Sequence, residues 1–212
     1  MHSLLDYPFH ETVTSPSIMS RLRSNLQRIA LFIAALWFVY LADWILSIDL
    51  TQFGVVPRHL GGLIGIPCSP FLHANLTHLV SNTIPLAILL VLLFGSTKHP
   101  WETVATIILF SGALLWLLGR SAVHVGASGL IYGLIAFIIV NGFREKKLIP
   151  IVISLVVAVL YGGTLFWGVL PSSDKTLSWD GHLYGAIAGG LLGWFHHNLP
   201  KSDSAISTPT LS

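Results

Sequence analysis

The chain has 212 residues, of which 53% are hydrophobic and 9% are charged, and its mean hydropathy is +0.76. Soluble domains carry about 25% charged residues, so this composition excludes a water-facing globule and indicates a protein that crosses a membrane several times. The net charge of +2 is too small to indicate a nucleic-acid partner, and the single cysteine, Cys68, excludes an internal disulfide.

Polar segments are predicted at both ends of the chain. Residues 1–27 contain two prolines and five serines and are expected to form a loosely ordered N-terminal segment on the cytoplasmic side. The apolar run after Arg28 is longer than the roughly 7–15 residues of a signal-peptide core, so a cleaved leader is not expected. Residues 199–212 are rich in Ser, Thr and Pro and are predicted to form a disordered tail. The membrane domain is therefore expected over residues 28–198.

Six apolar runs are candidates to cross a bilayer, which takes about 20 residues. They cover residues 29–48, 75–95, 102–118, 126–143, 148–170 and 181–197. The fourth and sixth runs are short and rich in glycine, but their neighbours favour reading them as spans. The sequence therefore predicts an all-α integral membrane protein with a bundle of six transmembrane helices.

The basic residues between the runs predict how the bundle is oriented. With a cytoplasmic N-terminus, eight Lys and Arg residues lie on the cytoplasmic side and three on the opposite side. This distribution satisfies the positive-inside rule, and the reversed orientation would invert it. Both termini are therefore expected in the cytoplasm. The long apolar loop over residues 49–74 is expected to pack on the outer membrane surface.

Four polar side chains lie inside the apolar runs, where each needs a partner or a function. His78 and Asn82 lie in the second run, Ser128 near the start of the fourth and His182 near the start of the sixth. Spans two, four and six run in the same direction, so all four side chains are expected at one depth below the outer surface. A histidine can take the proton of a serine near neutral pH and so activate it as a nucleophile. An asparagine and a histidine N–H suit the stabilisation of a developing oxyanion.

Each of these features alone has a simpler explanation. An isolated membrane serine usually bonds its own helix backbone, and an isolated Asn82 would most often join two helices. His73 and His124 are expected to be loop or rim residues. Glycines at four-residue spacing are common where two membrane helices pack together. The same close packing would let a serine and a histidine on two helices come within hydrogen-bond reach. The glycines with this spacing include Gly129, Gly133, Gly185 and Gly189.

The combined motifs resemble those of the rhomboid intramembrane serine proteases. Their order and span assignment fit over about residues 25–198, in three stretches: His78-Leu79-Val80-Ser81-Asn82, Gly126-Ala127-Ser128-Gly129, and His182-Leu183-Tyr184-Gly185 followed by Gly189. The first loop lacks the Trp-Arg pair often seen in that family. No seventh span is visible, so the chain resembles the basic six-span bacterial form.

The resemblance implies a role for each matched residue. Ser128 would be the nucleophile and His182 the general base. His78, Asn82 and the backbone N–H of Ser128 would form the oxyanion hole, and Tyr132 would pack against the His182 ring. The glycines of the motifs would support the site: Gly126, Gly129, Gly185 and Gly189.

These residues predict an endopeptidase that cuts single-span or multi-span membrane proteins near the outer face of the bilayer. A Ser–His dyad is expected because no Asp or Glu is placed to orient His182. No metal or other cofactor is expected, since a His-Glu-x-x-His motif is missing from the sequence. The expected location is a bacterial inner membrane.

Two alternatives to proteolysis stay open. A catalytically inert relative that binds membrane proteins would be expected to lack the serine or the histidine, and both are present. A small transporter would be expected to show a repeat between the two halves of the chain, and no repeat is obvious.

Overall fold

The computed structural model describes residues 18–174 and 177–196, and within these ranges the regular elements are helices. They are α1 (Ile18–Leu46), the one-turn helix α2 (Gly65–Cys68), α3 (Leu76–Ser96), α4 (Pro100–Leu118), α5 (Ser128–Glu145), α6 (Leu148–Gly168) and α7 (Trp179–Phe195). Three short 3-10 turns lie between α1 and α3, at Leu50–Phe53, Leu60–Leu63 and Ser69–Phe71. The predicted all-α fold class is confirmed.

Five of the described helices are long and apolar enough to cross a membrane. They are α3, α4, α5, α6 and the part of α1 from Leu22 to Leu46. Helix α7 has 17 residues, fewer than the roughly 20 that a span needs, so the sixth predicted span stays a prediction. The exposed faces of these helices carry large apolar side chains, such as Phe38 and Val159, as lipid contact requires. The protein is therefore an integral membrane protein that crosses the bilayer several times.

Helix α1 begins earlier than the sequence predicts. Residues 18–27 were expected to be loosely ordered, but they form the first turns of α1. The segment 18–46 contains neither glycine nor proline, the two residues that destabilise a helix interior most. Residues 1–17 and the predicted tail over 199–212 lie outside the described residues.

Helix α5 is the central helix of the bundle. It packs against α3, α4, α6 and α7, and its side chains from Leu130 to Ile138 are all buried. A helix that is buried on every side has to be apolar all round, and this stretch contains only Leu, Ile, Ala, Phe, Gly and one Tyr. The position of α5 therefore determines where the other helices place their polar side chains.

The broadest helix contact joins α5 and α7, and their backbones touch. A Cβ atom on Gly185 would overlap the carbonyl oxygen of Gly129, and a Cβ atom on Gly189 would overlap that of Gly133. The four-residue spacing places each pair on one face of its helix. The first turns of α5 and α7 are consequently held side by side.

The first loop is an ordered part of the bundle. Its Val55 exchanges two backbone hydrogen bonds of 2.9 Å with His124, and the Gly126 N–H donates to the Ser69 carbonyl at 2.9 Å. These contacts attach the loop over 49–74 to the segment that leads into α5. The loop is thus packed against protein over these residues, as its apolar composition would require.

The glycine contact predicts that Gly189→Val destabilises the fold. The new side chain would meet a backbone carbonyl, which cannot turn aside as a flexible side chain would. Overpacking of this kind typically costs about 1–3 kcal/mol. The matched control is Gly190→Val, because a Cβ atom at Gly190 meets nothing within 4 Å. Equal melting temperatures of the two variants in detergent would mean that α5 and α7 do not touch at Gly189.

Candidate active site

The first two turns of α3 position His78 and Asn82. Asn75 caps this helix, and its side-chain oxygen accepts a hydrogen bond of 2.8 Å from the His78 N–H. One turn later, the buried side chain of Asn82 donates to the His78 carbonyl at 2.7 Å. Asn82 Nδ2 carries two hydrogens, so one N–H is left for another acceptor.

Ser128 is the first residue of α5 and follows a sharp turn at Gly126. The φ of Gly126 is +110°, a conformation that L side chains rarely adopt. A Cβ atom there would also lie 2.6 Å from His78 Nε2. Both the backbone conformation and the lack of space therefore require glycine at this position. No hydrogen bond among the described residues uses the hydroxyl or the N–H of Ser128. Both groups are therefore available at the positive end of a helix.

The imidazole of His182 is held by a backbone carbonyl and an aromatic ring. Its Nδ1 lies 3.0 Å from the carbonyl oxygen of Gly168, which can only accept, so Nδ1 carries the proton. In the neutral ring Nε2 then keeps its lone pair. The ring of Tyr132 stacks on the imidazole with centroids 4.1 Å apart and 5° between the planes. The Tyr132 hydroxyl donates to the Thr164 carbonyl at 3.1 Å, which fixes the stacking partner in turn.

One open cavity of about 670 Å³ brings the predicted side chains together. The first turns of α3, α5 and α7 form its wall, together with segment 120–125 and one face of α6. The predicted residues in its lining are His78, Asn82, Ser128, Tyr132 and His182. The predicted glycines lie behind this wall, Gly126 against His78 and the other three in the contact between α5 and α7. The cavity has room for many waters.

Sequence reasoning missed two groups beside His182. Gly168 orients the imidazole through its carbonyl, and a backbone acceptor leaves no signal in the sequence. Asp180 is buried with 2% of its surface exposed, and a lone carboxylate at the start of an apolar run was a visible signal. Asp180 faces Arg120, whose N–H donates to Oδ2 at 2.9 Å, and it forms no hydrogen bond with His182. Within the described residues the serine and histidine therefore have no third, carboxylate member.

Two histidines lie deeper than the sequence suggested. His73 and His124 were expected to be loop or rim residues; both lie in loops, but they are buried there, with 3% and 4% exposure. The backbone of His124 pairs with Val55 of the first loop, which contributes to its burial. His73 lies edge-on to His78, with ring centroids 5.1 Å apart. It belongs to the tight turn before α3, packed beside the candidate site.

The fold and the cavity show which class of protein this is. It is an all-α membrane protein with several spans, and a serine and a histidine at the starts of neighbouring helices line one cavity. Residues 60–199 match the family model of the Rhomboid domain. Uncharacterized proteins of Mycobacterium bovis and Mycobacterium tuberculosis are 42% identical over 168 residues, covering 74% of this chain and 69% of each relative. An uncharacterized protein of Mycobacterium leprae is 39% identical, covering 74% of this chain and 66% of the relative. The chain belongs to the rhomboid family.

The burial of His73 predicts a pH dependence of stability. Burial, and next the repulsion from His78, lower the pKa of His73 to about 4, and the nearby backbone of Phe71 offsets only part of this. The unfolded chain binds the proton near pH 6.5, so folding stability is present above that pH and falls as the pH drops towards 4. A shift of this size corresponds to about 3 kcal/mol.

The variant His73→Phe removes the titrating group and keeps a ring of similar shape. The free energy of unfolding of wild type relative to this variant should be flat above pH 7 and should fall between pH 6.5 and pH 4. Chemical denaturation in detergent at several pH values measures the difference. A difference that does not change with pH would mean that His73 titrates normally.

Proposed function

We propose that this rhomboid-family protein is an intramembrane serine endopeptidase in which Ser128 is the nucleophile and His182 the general base. One observation carries the proposal: a single cavity is lined by Ser128, His182, His78 and Asn82, which come from three helices. Family membership supports the same chemistry. The relatives are uncharacterized, so the argument depends on the residues of this chain.

Each step of the reaction has a group suited to it. The Nε2 lone pair of His182 takes the hydroxyl proton of Ser128 as the oxygen attacks the carbonyl carbon of the scissile peptide bond. Negative charge then develops on the carbonyl oxygen. The second N–H of Asn82, the Ser128 N–H and the ring N–H of His78 are the donors proposed to stabilise it. His182 returns the proton to the leaving amine, and water from the open cavity then hydrolyses the acyl-enzyme.

The orientation of His182 suits a dyad. The carbonyl of Gly168 selects the tautomer with the proton on Nδ1, the task that a carboxylate has in a serine–histidine–aspartate triad. A carbonyl is neutral, so it stabilises the developing imidazolium less than a carboxylate would. It also avoids placing a further negative charge in a membrane interior. The stacked Tyr132 ring limits the remaining rotation of the imidazole.

The proposed substrates are other membrane proteins with one or several spans. The proposed topology has both termini in the cytoplasm, because eight of the eleven Lys and Arg residues then lie on that side. The first turns of α3, α5 and α7 would lie near the outer face, and the cavity would receive substrate there. The proposed location is a bacterial inner membrane, with the first loop packed on its outer side.

The direct test is cleavage of a model single-span substrate by purified protein in liposomes. Ser128→Ala and His182→Ala should abolish cleavage while leaving the melting temperature close to that of wild type. The matched control is Ser96→Ala at the opposite end of α3, where the hydroxyl bonds the Leu92 carbonyl. Cleavage by Ser128→Ala at the wild-type rate would refute the proposal.

Asn82→Ala should lower kcat much more than it raises KM. The oxyanion exists only along the reaction path, so its donors stabilise the transition state and not the bound substrate. Loss of one such donor typically costs about 100- to 1000-fold in rate. Steady-state kinetics with the same substrate separate the two constants. An increase in KM with unchanged kcat would instead make Asn82 a substrate-binding residue.

A further inference from the structure

A buried ion pair lies beside the dyad and takes no part in the proposed chemistry. The carboxylate of Asp180, 2% exposed, accepts a hydrogen bond of 2.9 Å from the backbone N–H of Arg120. Its other oxygen lies 3.4 Å from Arg120 Nε, close enough for attraction but without hydrogen-bond geometry. The guanidinium also donates to the Leu177 carbonyl at 2.7 Å. Arg120 thus joins the segment after α4 to both sides of the start of α7.

His124 and Ser178 form a second connection between the same two parts of the chain. His124 Nε2 lies 3.1 Å from the Arg120 carbonyl, and Nδ1 lies 2.8 Å from the Ser178 hydroxyl. Ser178 is the N-cap residue of α7, yet its hydroxyl does not cap that helix. Its carbonyl accepts the N–H of His182 at 3.1 Å. A short path of hydrogen bonds therefore leads from His124 to the backbone of the proposed base.

The four side chains Asp180, Arg120, His124 and Ser178 are called the Asp180 cluster here. Each half of the cluster lies just before one of the two proposed reacting groups in the sequence. Arg120 and His124 belong to the segment that ends at Ser128, and Asp180 and Ser178 precede His182 by two and four residues. The glycine contact between α5 and α7 begins only beyond these residues. The N-terminal ends of α5 and α7, where Ser128 and His182 lie, therefore need other contacts to hold them together.

We propose that the Asp180 cluster is a positioning device that holds the segment before Ser128 against the first turn of α7 and so sets the reacting geometry. Asp180 is its central member, because it is the buried anion that both Arg120 and His124 face. Its Oδ1 lies 3.4 Å from Arg120 Nε and 3.7 Å from His124 Nδ1. Asp180 acts through the positions of Ser128 and His182 and does not touch the substrate. The consequence for turnover rests on the proposed proteolytic function.

The first test is the charge-removing variant Asp180→Asn in the full-length protein. The amide oxygen can still accept the Arg120 N–H, so the change removes the charge and leaves the volume almost unchanged. We expect faster hydrogen–deuterium exchange in residues 119–127. We also expect kcat to fall roughly 10- to 100-fold with KM changed less than about twofold, since small displacements of reacting groups have effects of this size. The matched control is Asp49→Asn, an exposed aspartate in the first loop.

Arg120→Gln provides a second route if Asp180→Asn folds poorly, because Arg120 is one-third exposed and can be removed with less disturbance. If the two groups act as one pair, the double variant should be no slower than the slower single variant, whereas independent effects would multiply.

Unchanged kcat in both single variants, or a loss of kcat that only follows the folded fraction, would overturn the proposal. If wild type cleaves nothing, the proposed function fails, and the exchange measurement alone then decides whether the cluster holds the segment.

Discussion

The backbone contact between α5 and α7 is the constraint on which the rest of the site depends. Gly185 and Gly189 have no side chains, so their helix lies directly on the carbonyl oxygens of Gly129 and Gly133. A serine and a histidine side chain are both short, and they can share a proton only if their helices approach this closely. The central position of α5 then brings the first turn of α3 to the same cavity. The fold places three helix starts together, and the polar residues of the site are all on those starts.

Backbone carbonyls orient the polar side chains of the candidate site. The Gly168 carbonyl holds His182, and the His78 carbonyl holds Asn82. A carbonyl acceptor carries no net charge, so it gives direction to a side chain without the desolvation cost of a carboxylate in a membrane interior. The buried carboxylate of Asp180, which lies nearby, is paired with Arg120. Here the charged groups join two segments of the chain, and neutral backbone carbonyls orient the side chains of the candidate site.

Much of the fold and part of the site could be predicted from the sequence, because membrane crossing leaves strong signals. The apolar runs predicted the five helices that are long enough to cross a membrane and the shorter α7, and the polar residues inside those runs line the cavity. The depth to which loops fold could not be predicted: His124 lies in a loop, as expected, but it is buried there and pairs with Val55 of the first loop. The Gly168 carbonyl belongs to the backbone and has no sequence signal. Asp180 could be recognised in the sequence as an acidic residue at the start of an apolar run. Its pairing with Arg120 could not be predicted, because the two residues lie 60 positions apart in the sequence.

The central claim is that His182 activates Ser128, and a fluorophosphonate probe tests it most directly. The measurement is the rate at which the probe modifies purified wild type and folded His182→Ala, with the modified residue identified by mass spectrometry. A general base contributes about 100- to 10,000-fold to such a reaction. Modification of Ser128 in wild type at a rate at least about 100-fold above that of His182→Ala is the predicted result. Modification of a different serine, or equal rates in the two proteins, would contradict the claim.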